Sequence, residues 1–253
     1  MKLLLSNDDG IYAEGLKALH TQFRQRWSTI VVAPDRERSA ISHAITLETP
    51  IRSHEIARRN GDIVYAVSGT PADCIKLAMM ELLEDRPDLM ISGINPGANA
   101  GININYSGTL AAAREATLYG IPALAISIMA KQPRFYDQTA QFVEKLAEKI
   151  DSRGLAAGTF LNVNVPDLPL DRIKGVRISR QNIKPLKEQM DRRIDPRQRP
   201  YYWHAVLPGD MPAESDSDVA AITEDFISIT PIKCDVTDYQ SIQSLKSWDI
   251  RIR

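Results

Sequence analysis

A chain of 253 residues with 43 % apolar content has room for one α/β domain, a sizeable core and a modest extension. Its net charge of −1 offers no polycationic surface to nucleic acid and no membrane-attracting field, and an aromatic content of 6 % gives little stacking surface for single strands. Leu3, Leu4 and Leu5 are too few for a signal-peptide core, and no run approaches the roughly 18 apolar residues of a membrane span. Cys74 and Cys234 show no metal spacing, so reduced thiols and a soluble cytoplasmic protein are expected.

Short apolar runs alternate with helical patterns through the first half of the chain. Leu3 to Leu5 reads as a strand, followed by Leu16, Leu19, His20, Phe23 and Trp27 at helical spacing. Ile30 to Ala33 is a second strand, ending at Pro34-Asp35, and Ile63 to Val67 is another. "SGTPADCIKLAMMELL" then opens a helix with Thr70 as N-cap, Pro71 in the first turn and Asp73 at the capping-box position. Leu89 to Ser92 is a strand, followed by a glycine-rich loop and a helix from about Thr109 to Tyr119, closed by Gly120. Ala123 to Ser127 is one more strand, and Phe142, Leu146 and Ile150 mark the face of a further helix. Such alternation requires crossover connections, and hence a doubly wound, mostly parallel, Rossmann-like α/β sheet over residues 1–158. After Gly158 the pattern turns β-like in "FLNVNVP", "GVRIS", "YYWHAVL" and "FISITPI", so residues 159–253 read as a β-rich extension. "KPLKEQMDRRIDPRQRPYYW" is too polar for a core and reads as an extended arm or hairpin, with acidic residues interleaved among its Lys and Arg residues.

Ligands of an open parallel sheet bind beyond the carboxyl ends of its strands. The unusual residues of this sequence collect there. Asp8 and Asp9 follow the first strand, Ser39 and Ser42 follow the second, and Asn95 and Asn99 follow the strand at Leu89 to Ser92. Two carboxylates with hydroxyl and amide oxygens, and no convergent His or Cys pair, form a hard-donor set suited to Mg²⁺ or Mn²⁺ rather than zinc. A turn begun at Gly10 can bring both aspartates to one ion; the plainer alternative is an acidic Asx-turn or helix cap. In "INPGANAGININYSGT", Gly93, Gly97 and Gly101 recur at a spacing of four, unlike the G-x-G-x-x-G fingerprint, so no nicotinamide cofactor is expected. Ser107, Gly108 and Thr109 run straight into a helix. One of the hydroxyls can simply cap it, or the helix end can cradle a phosphate with its free N–H groups.

These motifs resemble the SurE (stationary-phase survival protein) nucleotidases. The resemblance lies in "SNDDG" at 6–10, "APDRERSA" at 33–40, "VSGTPADCIKLA" at 67–78, "SGINPGANAG" at 92–101, "YSGTLAAAREA" at 106–116, "DPRQRPYYW" at 195–203 and "SITPI" at 228–232. It implies one SurE-like domain overall and a metal-dependent phosphatase of nucleoside 5′- and 3′-monophosphates, with short polyphosphate as a further substrate. Asp8, Asp9, Ser39 and Asn95 match the ligands of one divalent cation per subunit, Mg²⁺ or Mn²⁺. Asp8, Asp9 and Asn95 are the candidate catalytic residues. Ser107, Gly108 and Thr109 match the phosphate contacts, with Asn99 and His43 as further substrate candidates; His20, His54 and His204 receive no role. The resemblance also implies a homodimer or homotetramer that exchanges C-terminal segments, here the arm at about 184–200 and the tail after Ile232. Ala40 and Ala116 depart from the family, standing where glycine is common. A non-catalytic, metal-dependent nucleotide sensor would need the same pocket.

Overall fold

The computed structural model describes residues 1–59, 62–185, 188–206 and 213–252. A nine-stranded sheet forms its centre, built on β1 (Lys2–Ser6), β2 (Ser28–Pro34), β4 (Asp62–Val67), β5 (Leu89–Pro96), β6 (Ala123–Met129) and β7 (Thr159–Pro166). With β3 (Ser53–Arg59), β8 (Val176–Ile178) and β11 (Ile227–Lys233), the order is β3-β4-β2-β1-β5-β6-β7-β11-β8. All pairs from β4 to β7 are parallel, while β3 on β4 and β11 on β7 are antiparallel. The expected doubly wound sheet is thus present, with antiparallel pairing in its C-terminal part. Strands β7, β11 and β8 continue this sheet past residue 158.

Alternation along each inner strand feeds two helical layers. Leu3, Leu5, Val31, Ile91 and Ile126 pack in one core with Leu16, Leu19 and Phe23 of α1 (Glu14–Phe23) and Val143, Ala147 and Ile150 of α4 (Tyr136–Arg153). Leu4, Val32, Met90 and Ala125 pack in the other with Cys74 and Ile75 of α2 (Pro71–Leu77) and Ala112, Ala113 and Ala116 of α3 (Gly108–Leu118). Strands buried on both faces read as continuous apolar runs, which is why they stood out in the sequence. Thr70 and Asp73 form the expected reciprocal capping box on α2. That helix then widens into a π-turn over Ala78–Leu82 instead of running on as an α-helix. In α4, Val143 and Ala147 are fully buried, whereas Phe142 and Leu146 lie only partly buried at the edge of the core.

The polar segment after residue 184 forms a two-stranded antiparallel hairpin, β9 (Glu188–Ile194) with β10 (Pro200–Val206). Residues 186–187 of that expected arm, and Leu207 of "YYWHAVL", lie outside the described residues. Two helices complete the chain, α5 (Asp218–Thr223) and α6 (Tyr239–Lys246), and α6 buries none of its side chains.

Candidate active site

The sheet reverses its winding between β1 and β5, because the chain passes from β1 outward through β2 and β4 and then returns to β1's other side as β5. At that switch point the carboxyl end of β1 turns sharply. Asn7 makes the turn: its Oδ1 accepts from the Gly10 N–H at 3.2 Å and its Nδ2 donates to the Gly10 carbonyl at 2.9 Å. Gly10 has φ of 100°, and a Cβ there would lie 3.0 Å from the Arg36 carbonyl carbon. The Asx-type turn therefore belongs to Asn7, and both aspartate side chains are left for other work. The Arg38 N–H donates to the Asp8 carbonyl at 2.7 Å, which ties the loop after β2 to the same turn.

Asp8 is only 4 % exposed. The Thr109 hydroxyl donates to its Oδ1 at 2.5 Å, and the Gly108 and Thr109 backbone N–H groups at the start of α3 also favour its anion. Gly108 is needed for this approach: a Cβ at that position would stand 2.7 Å from the Asp8 Cβ. Burial still wins, and raises the Asp8 pKa above its ordinary value. Asp9 is pushed up to about 7, first by burial and then by the charges of Asp8 and Glu37. Its Oδ2 is buried without a hydrogen-bond partner. A bare carboxylate oxygen beside a like-charged neighbour is costly for the protein alone and fits a cation.

The remaining donors come from separate loops. Ser39 follows β2, and its hydroxyl donates to Glu37 Oε1 at 2.6 Å. Asn95, at the end of β5, donates its Nδ2 to the Gly97 carbonyl at 2.6 Å, which leaves its Oδ1 as the coordinating end. Ser107 is the N-cap of α3 and accepts from the Leu110 N–H at 3.2 Å. Among the described residues no three His, Cys, Asp or Glu side chains gather as a metal cluster. A cation here would complete its shell from serine and asparagine oxygens, a donor set for a hard divalent ion.

A cavity of about 640 Å³ opens over these groups. Asp8, Ser39, Asn95, Asn99 and Ser107 line it, together with Asn103 and Tyr106. Gly108 and Thr109 hold Asp8 and are absent from its wall, as is Asp9. His43 is not on the wall either. Its Nε2 lies 2.7 Å from Oε2 of buried Glu115 in α3, whose other oxygen accepts from Lys76 at 3.2 Å.

Several residues that brace these donors escaped the sequence reading. Asn99 is fixed from three sides: its N–H donates to Asn164 Oδ1 at 2.8 Å, its Nδ2 donates to Ser127 Oγ at 2.9 Å, and its carbonyl accepts from Asn162 Nδ2 at 2.8 Å. Ser127, Asn162 and Asn164 are fully buried. Two asparagines two residues apart in the apolar "FLNVNVP" were the available signal, since that spacing puts both on one strand face. Asp218 of α5 is also fully buried and accepts from the Gly101 N–H at 2.9 Å and the Asn182 N–H at 2.9 Å, so a distant helix braces the glycine-rich loop. Glu188 of β9 and His204 of β10 supply further cavity wall.

Fold and site define a doubly wound α/β protein whose functional crevice, lined by oxygen donors, opens at the topological switch point. The family described as "Survival protein SurE" matches residues 3–188. A "5'-nucleotidase SurE" from Desulfatibacillum aliphaticivorans is 49 % identical over 253 residues, covering 99 % of each chain. Another from Syntrophobacter fumaroxidans is 45 % identical, covering 99 % of this chain and 100 % of its own. The crystal structure of SurE protein from Aquifex aeolicus superposes with a TM-score of 0.87 at 35 % identity, covering 97 % of this chain and 98 % of that one. The chain belongs to the SurE family.

Proposed function

We propose that this chain is a 5′-nucleotidase: a divalent-cation-dependent phosphatase that hydrolyses nucleoside 5′-monophosphates, with 3′-monophosphates and short polyphosphate also within its range. The names of the full-length relatives support the nucleotidase reading. The observation that carries it here is the Asp8–Asp9 pair, one carboxylate clamped by Thr109 and the other with a bare buried oxygen, beside a polar cavity. Asp8, Asp9, Ser39 and Asn95 would hold one Mg²⁺ or Mn²⁺. When bound, the ion balances the two carboxylates and polarises a phosphate oxygen.

The other steps belong to the chain's own groups. The Thr109 hydroxyl and the α3 amides fix Asp8 and partly offset the burial that raises its pKa, so that it can orient the attacking water. Asn99 presents its amide to the phosphate from a loop held by buried Ser127, Asn162 and Asn164, and Ser107 adds a hydroxyl at the helix start. Fixing the phosphate against the water makes the attack effectively unimolecular. His43, paired with Glu115, acts by holding the loop between Ser39 and Thr46 against α3.

The chain works as a cytoplasmic homodimer or homotetramer that exchanges C-terminal segments, the tail after Ile232 foremost. Val236, Tyr239, Trp248, Ile250 and Ile252 of the tail are all exposed, as are Met190, Tyr202 and Trp203 of the hairpin, and such surface suits a second copy. Among the described residues no helix is long and apolar enough to cross a membrane.

Phosphate release from a panel of nucleoside monophosphates, with Mg²⁺ or Mn²⁺ and with EDTA, tests the reading. Cation-dependent release from 5′-monophosphates is expected. Tight nucleotide binding without release would make the protein a sensor instead.

A further inference from the structure

The cavity has more volume than a phosphate needs. At roughly 30 Å³ for each water-sized heavy atom, a phosphate occupies ~150 Å³, against about 640 Å³ available. What lies beyond the strand-end donors is a pair of side chains from the hairpin. Glu188 on β9 and His204 on β10 both line the cavity, and His204 Nε2 lies 3.3 Å from Glu188 Oε1. Antiparallel pairing sets this contact: His204 is opposite Met190 and Val206 is opposite Glu188, so the two are diagonal neighbours. Met190 and Tyr202 share this face of the hairpin but are exposed and do not line the cavity, and Trp203 lies on the opposite face, so Glu188 and His204 are the hairpin side chains on the wall. Tyr106, 55 % exposed, adds an aromatic wall.

We propose that Glu188, held by His204, forms a subsite for the sugar of the substrate, accepting hydrogen bonds from ribose hydroxyls while the phosphate lies at the Asp8 end. This rests on the nucleotidase reading above and adds the part of the substrate that the hairpin recognises. A carboxylate repels phosphate but is a strong acceptor for neutral hydroxyl donors, the arrangement by which acidic residues read ribose in dinucleotide sites. It therefore gives the cavity a direction: the anionic end of a nucleotide is turned away from the hairpin, and the nucleoside end is turned toward it. His204 is a positioning residue, because its ring is the carboxylate's polar neighbour across the hairpin.

Steady-state kinetics of the full-length, Mg²⁺- or Mn²⁺-loaded protein test this with three substrates: AMP, 2′-deoxy-AMP and p-nitrophenyl phosphate. Losing a hydrogen bond to a charged acceptor costs about tenfold in affinity. Glu188→Ala is expected to raise KM for AMP about tenfold with kcat little changed, to shrink any preference for AMP over the deoxy substrate, and to leave p-nitrophenyl phosphate unaffected. Glu188→Gln, which keeps an acceptor, should recover part of the loss, and His204→Ala should give a smaller rise in KM for AMP alone. Equal losses on AMP and p-nitrophenyl phosphate would show a collapsed hairpin or a general defect and overturn the proposal, as would unchanged KM for AMP in both alanine variants. If the unaltered protein hydrolyses p-nitrophenyl phosphate but neither nucleotide, the nucleotidase reading fails and the sugar subsite falls with it.

Discussion

The ends of the central strands and the C-terminal hairpin and tail are both rich in polar and charged residues, but they are built on opposite terms. At the strand ends, Asp8, Ser127, Asn162 and Asn164 are buried with assigned partners, as is Asp218 of α5, which braces the glycine-rich loop. In the hairpin and tail, Arg193 pairs with Asp191, Arg199 with Asp195 and Arg251 with Asp249, all at the surface where such pairs contribute little. Met190, Trp203, Trp248 and Ile252 are exposed alongside them. A buried polar group must be fixed, so the first region is rigid and chemically committed; an exposed pair leaves its segment free to meet another surface.

Substitutions should separate the two regions sharply. Asp8→Asn is expected to have the largest effect, lowering kcat by ~10³-fold or more, since several kcal/mol of charge stabilisation rest on that carboxylate. Its far-ultraviolet circular dichroism should stay unchanged, and a near-normal rate would remove Asp8 from the chemistry. Gly108→Ala comes next. The added Cβ meets the Asp8 Cβ at 2.7 Å, so either the helix start or the aspartate must shift. A loss of about 1–3 kcal/mol in denaturant unfolding is expected, with a clear fall in kcat.

Glu115→Gln probes the buried network at some distance from the cavity. Burial alone would raise the Glu115 pKa, but hydrogen bonds from His43 and Lys76 outweigh it and hold the group below its ordinary value of 4.5. Its stabilising contribution is thus fully present above pH 4.5 and is lost as pH falls through the lower, folded-state value. Thermal melts should show the unaltered protein more stable than the variant at pH 7, by about 1–2 kcal/mol, with the gap closing in acid. Ala40→Gly should act in the other direction and more weakly. Ala40 has φ of 54°, a left-handed conformation that glycine adopts without strain. A gain of roughly 0.5–1 kcal/mol is expected after the entropy of the added glycine is counted. Trp248→Ser in the tail should change unfolding of the isolated chain by less than about 0.5 kcal/mol yet weaken self-association in sedimentation velocity; a large loss of monomer stability would contradict the contrast drawn above.

How much of this was legible in the sequence follows the same division. Strands buried on both faces declared themselves as apolar runs, and the capping box was readable from the identities of Thr70 and Asp73. Strand β3 was not, because "SHEIARR" is an edge strand whose described side chains are exposed, so no apolar alternation marks it. The π-turn over Ala78–Leu82 comes at the end of its helix, where too few residues follow for the shift in helical phase to show in the sequence. In the site, Asp8, Asp9, Ser39 and Asn95 stood out as odd residues at strand ends. The bracing by Asn162, Asn164 and Asp218 spans from 63 to 117 residues of sequence, and such separations become contacts only once the sheet order is known. Ala40 was noted as small, but the backbone angle that makes it strained is a property of the folded loop.

Strand β7 carries an additional constraint. Asn162 and Asn164 stand beside Ala125 and Ser127 of β6, while Phe160 lies in the α2–α3 core and Val163 and Val165 in the α1–α4 core. Because side chains alternate, a frameshift of one residue in that pairing would drive both amides into oil and drop the valines beneath Asn99. The strand can therefore tolerate exchange of its letters more readily than insertion or deletion of a single one.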